Sequence, residues 1–339
     1  MNSVNKITAE CKEQRMKAIV FDNNLKLDTN YKKPEAKKGE ALIKVSLAGI
    51  CNTDYEITKG YMGYVGVLGH EFVGVVEEVN SEKPEDKKWI GKRVVAEISY
   101  GCDDPSCEWC AKKNYRHCPS RHTLGIVQKD GCFAEYMTMP VNVLFEVPDN
   151  VSDEQAVFVE PLAAACEISE QLHIEPMKKV LVLGDGKLGL TTALTLHAQN
   201  LNVTLVGKHQ NKLDIAQAQG VKTKLLQDLK VENIYDVVVE ATGTAGGFET
   251  SMALTKPRGV LVLKSTVATG KELNLAPIVI NEITVLGSRC GQFPPALRLL
   301  ENNRIDFKPF ISKIYSIDDA LEAFEANKAK DTIKILIKM

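Results

Sequence analysis

At 339 residues the chain is too long for one ordinary core and reads as two domains. Its composition, 44% apolar and 25% charged, excludes a disordered or fibrous chain. A net charge of −2 supplies no global field for nucleic acid or anionic membranes, and the longest apolar runs, such as VLVLG, are strand-length and far short of a membrane span.

The first fifteen residues, MNSVNKITAECKEQR, hold no apolar stretch suited to a secretory signal, and Glu10 and Glu13 are out of place in a transit peptide. They read as a polar extension, after which MKAIVFD (16–22) begins the first strand. The address this implies is cytoplasmic. In that reducing compartment disulfides do not persist, so clustered cysteines read as metal ligands or catalytic groups.

LAGICNTDYEITKGY (47–61) and VLGHEFVGVV (67–76) bring Cys51, His70 and Glu71, and VEPLAAACE (159–167) brings Glu160. A catalytic zinc takes few protein ligands and keeps one position open. Cys51 and His70 suit such a centre, with a carboxylate from Glu71 or Glu160. Singly, each is a residue that a core also uses; their combination carries the reading.

The stretch GCDDPSCEWCAKKNYRHC (101–118) contains Cys102, Cys107, Cys110 and Cys118 in the spacing C-x4-C-x2-C-x7-C. Cys107 and Cys110 form a knuckle that can chelate one ion from a tight turn, and Cys102 and Cys118 close the site from either side. Asp103, Asp104, Pro105 and Asn114 mark the segment as loop, with no hydrophobic period to fold it unaided. A structural zinc supplies what is missing, on the order of 10–16 kcal/mol in small peptide sites.

KKVLVLGDGKLGLTTALTLHAQN (178–200) reads as a buried strand, then Gly184-x-Gly186-x-x-Gly189, then a helix. The glycines permit a tight turn and close approach of a pyrophosphate, and Lys187 and Leu188 open the helix whose free N–H groups face it. Downstream, strands at 202–207, 235–243, 259–265 and 283–289 alternate with helices QNKLDIAQAQG and GGFETSMAL, predicting a doubly wound parallel sheet. NAD-binding members of this architecture place a carboxylate at the end of the second strand. Here that position reads Gly207-Lys208-His209, with Lys212 following, and no carboxylate is present. Gly207 leaves room and Lys208, His209 and Lys212 can meet a 2′-phosphate, so NADP(H) is favoured over NAD(H).

Taken together, G-I-C-N-T-D, G-H-E, the four-cysteine lobe, V-E-P-L-A and G-D-G-K-L-G, in this order, resemble the zinc-containing medium-chain dehydrogenases/reductases, which include alcohol, sorbitol, glucose and threonine dehydrogenases. The likeness runs from about Met16 to the C-terminus. It implies an α/β plus β-rich fold: a GroES-like catalytic domain (16–160) with a structural-zinc lobe (100–120), a Rossmann cofactor domain (161–289), and a segment (290–339) that returns to the catalytic domain. In that tail Ser316 and Asp319 form an S-x-x-D capping box for the helix DDALEAFEANKAK, followed by the strand IKILI.

Carried over by motif, Cys51 and His70 bind the catalytic zinc. Glu160 takes the place where polyol, glucose and threonine dehydrogenases have glutamate, and Glu71 either binds directly or exchanges with water. Asp54 holds the His70 imidazole, and Thr53 begins a proton relay. Thr242, Lys264 to Thr266 (Ser265 among them), Ser288 and Arg289 line the cofactor cleft; Tyr55, Tyr61, Tyr64 and Arg289 are candidates for the substrate pocket. The lobe departs from the family in its first spacing, C-x4-C where C-x2-C is usual.

The implied reaction is the reversible oxidation of an alcohol, a polyol or sugar for choice, to its carbonyl, with two zinc ions per chain and a homodimer or homotetramer as the assembly. A zinc-free reductase of the same superfamily lacks the cysteines and His70. A non-catalytic NADP-binding sensor has no need of an intact Cys51, Thr53, His70 and Glu160. A nucleic-acid module, suggested by Lys112, Lys113, Arg116 and Arg121, is countered by Asp103, Asp104 and Glu108 and by the lack of interleaved aromatics.

Overall fold

A computed structural model describes residues 14–102, 104–265 and 273–339. Most of the N-terminal extension, together with Asp103 and Thr266, lies outside the described residues. Arg15 belongs to the first strand, Arg15–Asp22, rather than to the extension.

The run Lys179–Leu183 (KVLVL) is buried on both faces, as a central parallel strand must be. Alternation sends Val180 and Val182 into one core cluster and Leu181 and Leu183 into another, on opposite faces of the sheet. The strands pair in parallel in the order Lys222–Leu225, Asn202–Gly207, Lys179–Leu183, Tyr235–Glu240, Thr255–Leu263, Thr284–Gly287. Chain order reverses between Lys179–Leu183 and Tyr235–Glu240, which opens a crevice at their C-terminal ends. Helices Lys187–Ala198, Gln210–Ala218 and Ala245–Leu254 provide the crossovers.

The other large sheet has seven strands. At its centre Glu40–Gly49 pairs antiparallel with Glu71–Asn80, Tyr136–Pro140 and, from the far end of the chain, Lys334–Lys338. Ile311–Ser316 extends the sheet parallel to Lys334–Lys338. Two strands from the end of the chain thus belong to this sheet, whereas helix Phe293–Glu301 packs on helix Val159–Gln171, with Phe293, Leu297 and Leu300 buried there. The S-x-x-D box is also modified. Ser316 accepts from the Asp318 N–H at 3.3 Å and caps a 3₁₀ turn, Ile317–Asp319, ahead of a shorter helix, Ala320–Ala326.

One apolar cluster is continuous across both sheets, from Leu47, Val73 and Val95 to Val180, Val182 and Val239. At its waist Phe158 stacks on Phe307 (centroids 4.4 Å, planes 5° apart), and Phe310 meets both edge-on. This cluster fixes helix Val159–Gln171, whose first turn carries Glu160, against both halves.

Candidate active site

Cys51 lies two residues past the central strand and caps helix Asn52–Thr58, its backbone N–H donating to Asp54 Oδ2 at 2.8 Å. His70 and Glu71 stand at the start of the neighbouring strand, Glu71–Asn80, so the antiparallel pairing Gly49↔Glu71 brings the two segments together. The ligand atoms of Cys51, His70 and Glu71 all lie within 4.8 Å of one another. Gly49 is required here because a Cβ would sit 2.7 Å from Glu71 Oε2 and 2.9 Å from Val157 Cγ1.

His70 Nδ1 faces Asp54 Oδ1 at 3.4 Å, both buried and neither in a formed hydrogen bond. An imidazole with one nitrogen turned to a carboxylate offers the other to a metal. Burial resists a proton on His70, yet the charges of Asp54 and Cys51 outweigh it and raise its pKa well above the ordinary value. The cluster thus calls for positive charge at its centre, and thiol, imidazole and carboxylate together suit Zn²⁺. Thr53 Oγ1 lies 3.7 Å from Cys51 Sγ, on the same helical turn.

Glu160 is not among the three gathered ligands. It enters from the adjacent helix, close enough to be influenced by His70 and Glu71, and burial pushes its carboxyl up to about 7. Glu71 has a partner that the sequence did not announce: Lys334, on the last strand, forms an ion pair with it in which both side chains are 2% exposed. Lys334 Nζ also lies 3.4 Å from the Ile50 carbonyl.

In the lobe, the Sγ atoms of Cys102 and Cys110 are 3.9 Å apart, Cys107 and Cys118 3.7 Å, and Cys102 and Cys118 3.6 Å. Four thiolates bound at about 2.3 Å around a tetrahedral zinc lie about 3.8 Å from each other. These thiols fit that figure and are too far apart for disulfides. Gly101 leaves room for them, since a Cβ there would meet Cys110 Sγ at 2.5 Å. The lobe docks on the cofactor half by an exchange of guanidinium bonds: Arg116 donates to the Cys290 carbonyl at 2.9 Å, and Arg289 to the Arg116 carbonyl at 2.6 Å.

In the glycine-rich turn Gly184 has φ +122°, and a Cβ on Gly189 would meet the Gly184 carbonyl at 1.8 Å. Gly186 has open space around it, as a pyrophosphate cradle requires. Lys187 is turned inward, donating to Asn327 Oδ1 at 2.9 Å and the Ile50 carbonyl at 3.1 Å, while Leu188 follows it in the first helical turn. Burial lowers the Lys187 pKa to about 8.

At the end of the second strand the sequence reading is corrected. A carboxylate does sit there: that of Asp185, from the glycine-rich turn. Its Oδ2 accepts the Lys208 and His209 N–H groups at 2.6 and 2.7 Å and contacts His209 Nδ1 at 3.0 Å. The space above Gly207 holds Asp185 itself, whose atoms lie 2.4–2.6 Å from where a Cβ would be. Lys212 is engaged elsewhere, its ammonium donating to the Lys330 carbonyl at 2.6 Å.

Thr242 and Ser265 converge on Glu240, fully buried at the end of its strand. Thr242 Oγ1 donates to it at 2.5 Å, the Thr242 and Gly243 N–H groups at 2.6 and 3.1 Å, and Ser265 Oγ completes the set. Ser265, Ser288 and Arg289 line a cavity of about 240 Å³ with Lys264, whose ammonium donates to Ser288 Oγ at 3.2 Å and the Arg289 carbonyl at 2.7 Å. Of the tyrosines, Tyr55 OH is bonded to the Phe324 carbonyl and Tyr64 OH reaches the Val67 and Lys129 carbonyls at 3.0 Å, while Tyr61 is exposed.

Residues 37–149 match the family model of the alcohol dehydrogenase GroES-like domain, and residues 154–339 that of the glucose dehydrogenase C-terminus. The chain is 29% identical to D-arabitol-phosphate dehydrogenase of Enterococcus avium, over 90% of this chain and 91% of that protein. It is 27% identical to sorbitol dehydrogenase of Bacillus subtilis, over 92% and 93%. Among solved structures, 2R,3R-butanediol dehydrogenase from Bacillus subtilis superposes with TM-score 0.83 at 25% identity, covering 96% of this chain and 99% of that one.

Proposed function

The chain belongs to the zinc-containing medium-chain dehydrogenase/reductase family, and from that premise we propose that it oxidises a polyol to the corresponding carbonyl compound, reversibly, at the Cys51–His70–Glu71 cluster. The observation that carries this is the gathering of thiol, imidazole and carboxylate within 4.8 Å beside a dinucleotide-type turn. When bound, a zinc ion supplies Lewis acidity toward the substrate oxygen and a nicotinamide dinucleotide accepts or returns the hydride.

The chain's own residues do the rest. Cys51, His70 and a carboxylate hold the metal, and Asp54 orients the imidazole from behind. Of the two carboxylates, Lys334 neutralises Glu71, while Glu160 stands where it can close the ligand set once its proton leaves. Thr53, beside Cys51, takes the hydroxyl proton and passes it on. Lys264 and Ser288 brace the cleft wall from which Arg289 reaches the lobe.

A second zinc in the four-cysteine lobe belongs to this reading, supported by the sulfur spacing, and requires a reducing compartment such as the cytoplasm. So do the domain boundaries 16–160 and 161–289 with a returning tail. No helix among the described residues is long and apolar enough to cross a membrane. For the assembly, a homodimer or homotetramer is supported by an apolar edge beside strand Thr284–Gly287, where Val279 is 78% and Ile280 77% exposed.

The test is metal content and turnover in Cys51→Ser and Thr53→Val. Cys51→Ser is expected to lose one zinc and nearly all polyol oxidation while still binding dinucleotide. Thr53→Val is expected to keep both zincs and lose about 10²-fold in rate, with Thr53→Ser near wild type. Full turnover by zinc-free Cys51→Ser would refute the reading.

A further inference from the structure

The end of the second strand of a dinucleotide fold decides between NAD(H) and NADP(H), because the adenosine ribose lies there with either a 2′-hydroxyl or a 2′-phosphate. In this chain the strand ends Val206-Gly207-Lys208-His209 and offers two backbone N–H groups, an imidazole and one ammonium. Those are donors a 2′-phosphate would use, but three of the four are already taken.

Asp185, from the glycine-rich turn, crosses to this position. It is 8% exposed. Its Oδ2 accepts from Lys208 N at 2.6 Å and His209 N at 2.7 Å and lies 3.0 Å from His209 Nδ1. The side chain lies directly over Gly207, so the missing Cβ makes room for Asp185 and not for a ligand. Lys212 cannot compensate, since it is held by the Lys330 carbonyl. Of the described cations carried by this strand end itself, the exposed Lys208 ammonium is the one not engaged. Among the described residues, all the bonds to Asp185 fall on Oδ2, so Oδ1 is available to accept one more.

We infer that Asp185 makes this protein selective for NAD(H), its carboxylate accepting the ribose 2′-hydroxyl from the turn side of the crevice in place of an acid at the strand's end. A hydroxyl donates to a carboxylate and adds a bond. A phosphate dianion must either stand against that carboxylate or displace it from three donors. Both routes penalise NADP(H), which is selection by repulsion as well as attraction. The inference replaces the preference for NADP(H) drawn from Lys208, His209 and Lys212, and it rests on the dinucleotide-binding reading above.

The experiment is fluorescence titration of the full-length protein with NADH and NADPH, with no alcohol present, for wild type, Asp185→Asn and Asp185→Ser. Wild type is expected to bind NADH more tightly by about tenfold or more. Asp185→Ser, which frees the two N–H groups, is expected to bring the two affinities within about threefold by strengthening NADPH. Asp185→Asn keeps the shape and is expected to fall between them. Equal or tighter binding of NADPH by wild type overturns the inference and needs no variant to do so. So does an unchanged ratio in either variant with the wild-type melting temperature. Binding of neither nucleotide would overturn the dinucleotide reading itself, and this inference with it.

Discussion

Lys334 meets Glu71 across 263 residues of chain, in an ion pair closed to solvent beside the candidate metal ligands. Two charges in such a place are held by each other. Lys334→Met is therefore expected to leave a buried carboxylate unpaired and cost about 3–5 kcal/mol, with the double variant Lys334→Met/Glu71→Gln recovering most of it. Urea unfolding of the two single variants and the double one, with zinc content alongside, checks the coupling.

Gly49→Ala probes the same carboxylate from the other side. Its Cβ would stand 2.7 Å from Glu71 Oε2 and 2.9 Å from Val157 Cγ1, and both residues are buried. The expected outcome is a loss of about 1–3 kcal/mol and weaker retention of the metal against a chelator, without loss of the lobe zinc. An unaltered chelation rate would show that Glu71 is not part of the centre.

For the lobe, Cys110→Ser is expected to reduce the metal content from about two zincs per chain to about one and to open residues 104–121 to protease, because that stretch buries only Cys118. The centre at Cys51 is expected to retain its ion, so metal analysis separates the two sites. Loss of both ions together would mean that the lobe has to be folded before the other centre can form.

The pKa of Lys187, lowered by burial to about 8, gives a pH signature. A dinucleotide's phosphates favour the ammonium form, so binding takes up a proton wherever the free protein has lost it. Affinity is expected to be flat below pH 8 and to weaken above it, by up to about tenfold per pH unit. Lys264 titrates in the same range, also through burial. Flattening of the profile in Lys187→Met, followed by NADH fluorescence, assigns the effect to Lys187.

The strands of the cofactor sheet were legible because KVLVL, NVTLVG and YDVVVE are short apolar runs between turn residues, and such runs become buried parallel strands wherever helices cover both faces. The cysteine lobe was legible from spacing alone. Cys51, His70 and Glu71 were legible only as a set, because their proximity comes from the pairing of two strands. What could not be read was any contact whose partners are close only after folding. Asp185 looks like turn filler in G-D-G, and nothing local shows that it crosses to Gly207. Lys334 looks like an exposed strand residue, and Glu240 like the polar end of a strand. The tyrosines are ambiguous in sequence for a different reason: a phenol serves a core as well as a pocket when a carbonyl is near, as the Phe324 carbonyl is for Tyr55.

The order of strands in the mixed sheet has a consequence for biosynthesis. Lys334–Lys338 lies between Glu40–Gly49 and Ile311–Ser316, and it brings the lysine that neutralises Glu71. Until Lys334–Lys338 has been synthesised, the amino-terminal sheet lacks an interior member and its acidic centre lacks its counter-charge. The parallel sheet, whose six strands are all emitted earlier, can assemble first. Nascent molecules of this protein should thus mature from the middle outward, with the active site completed only once Lys334–Lys338 has joined its sheet.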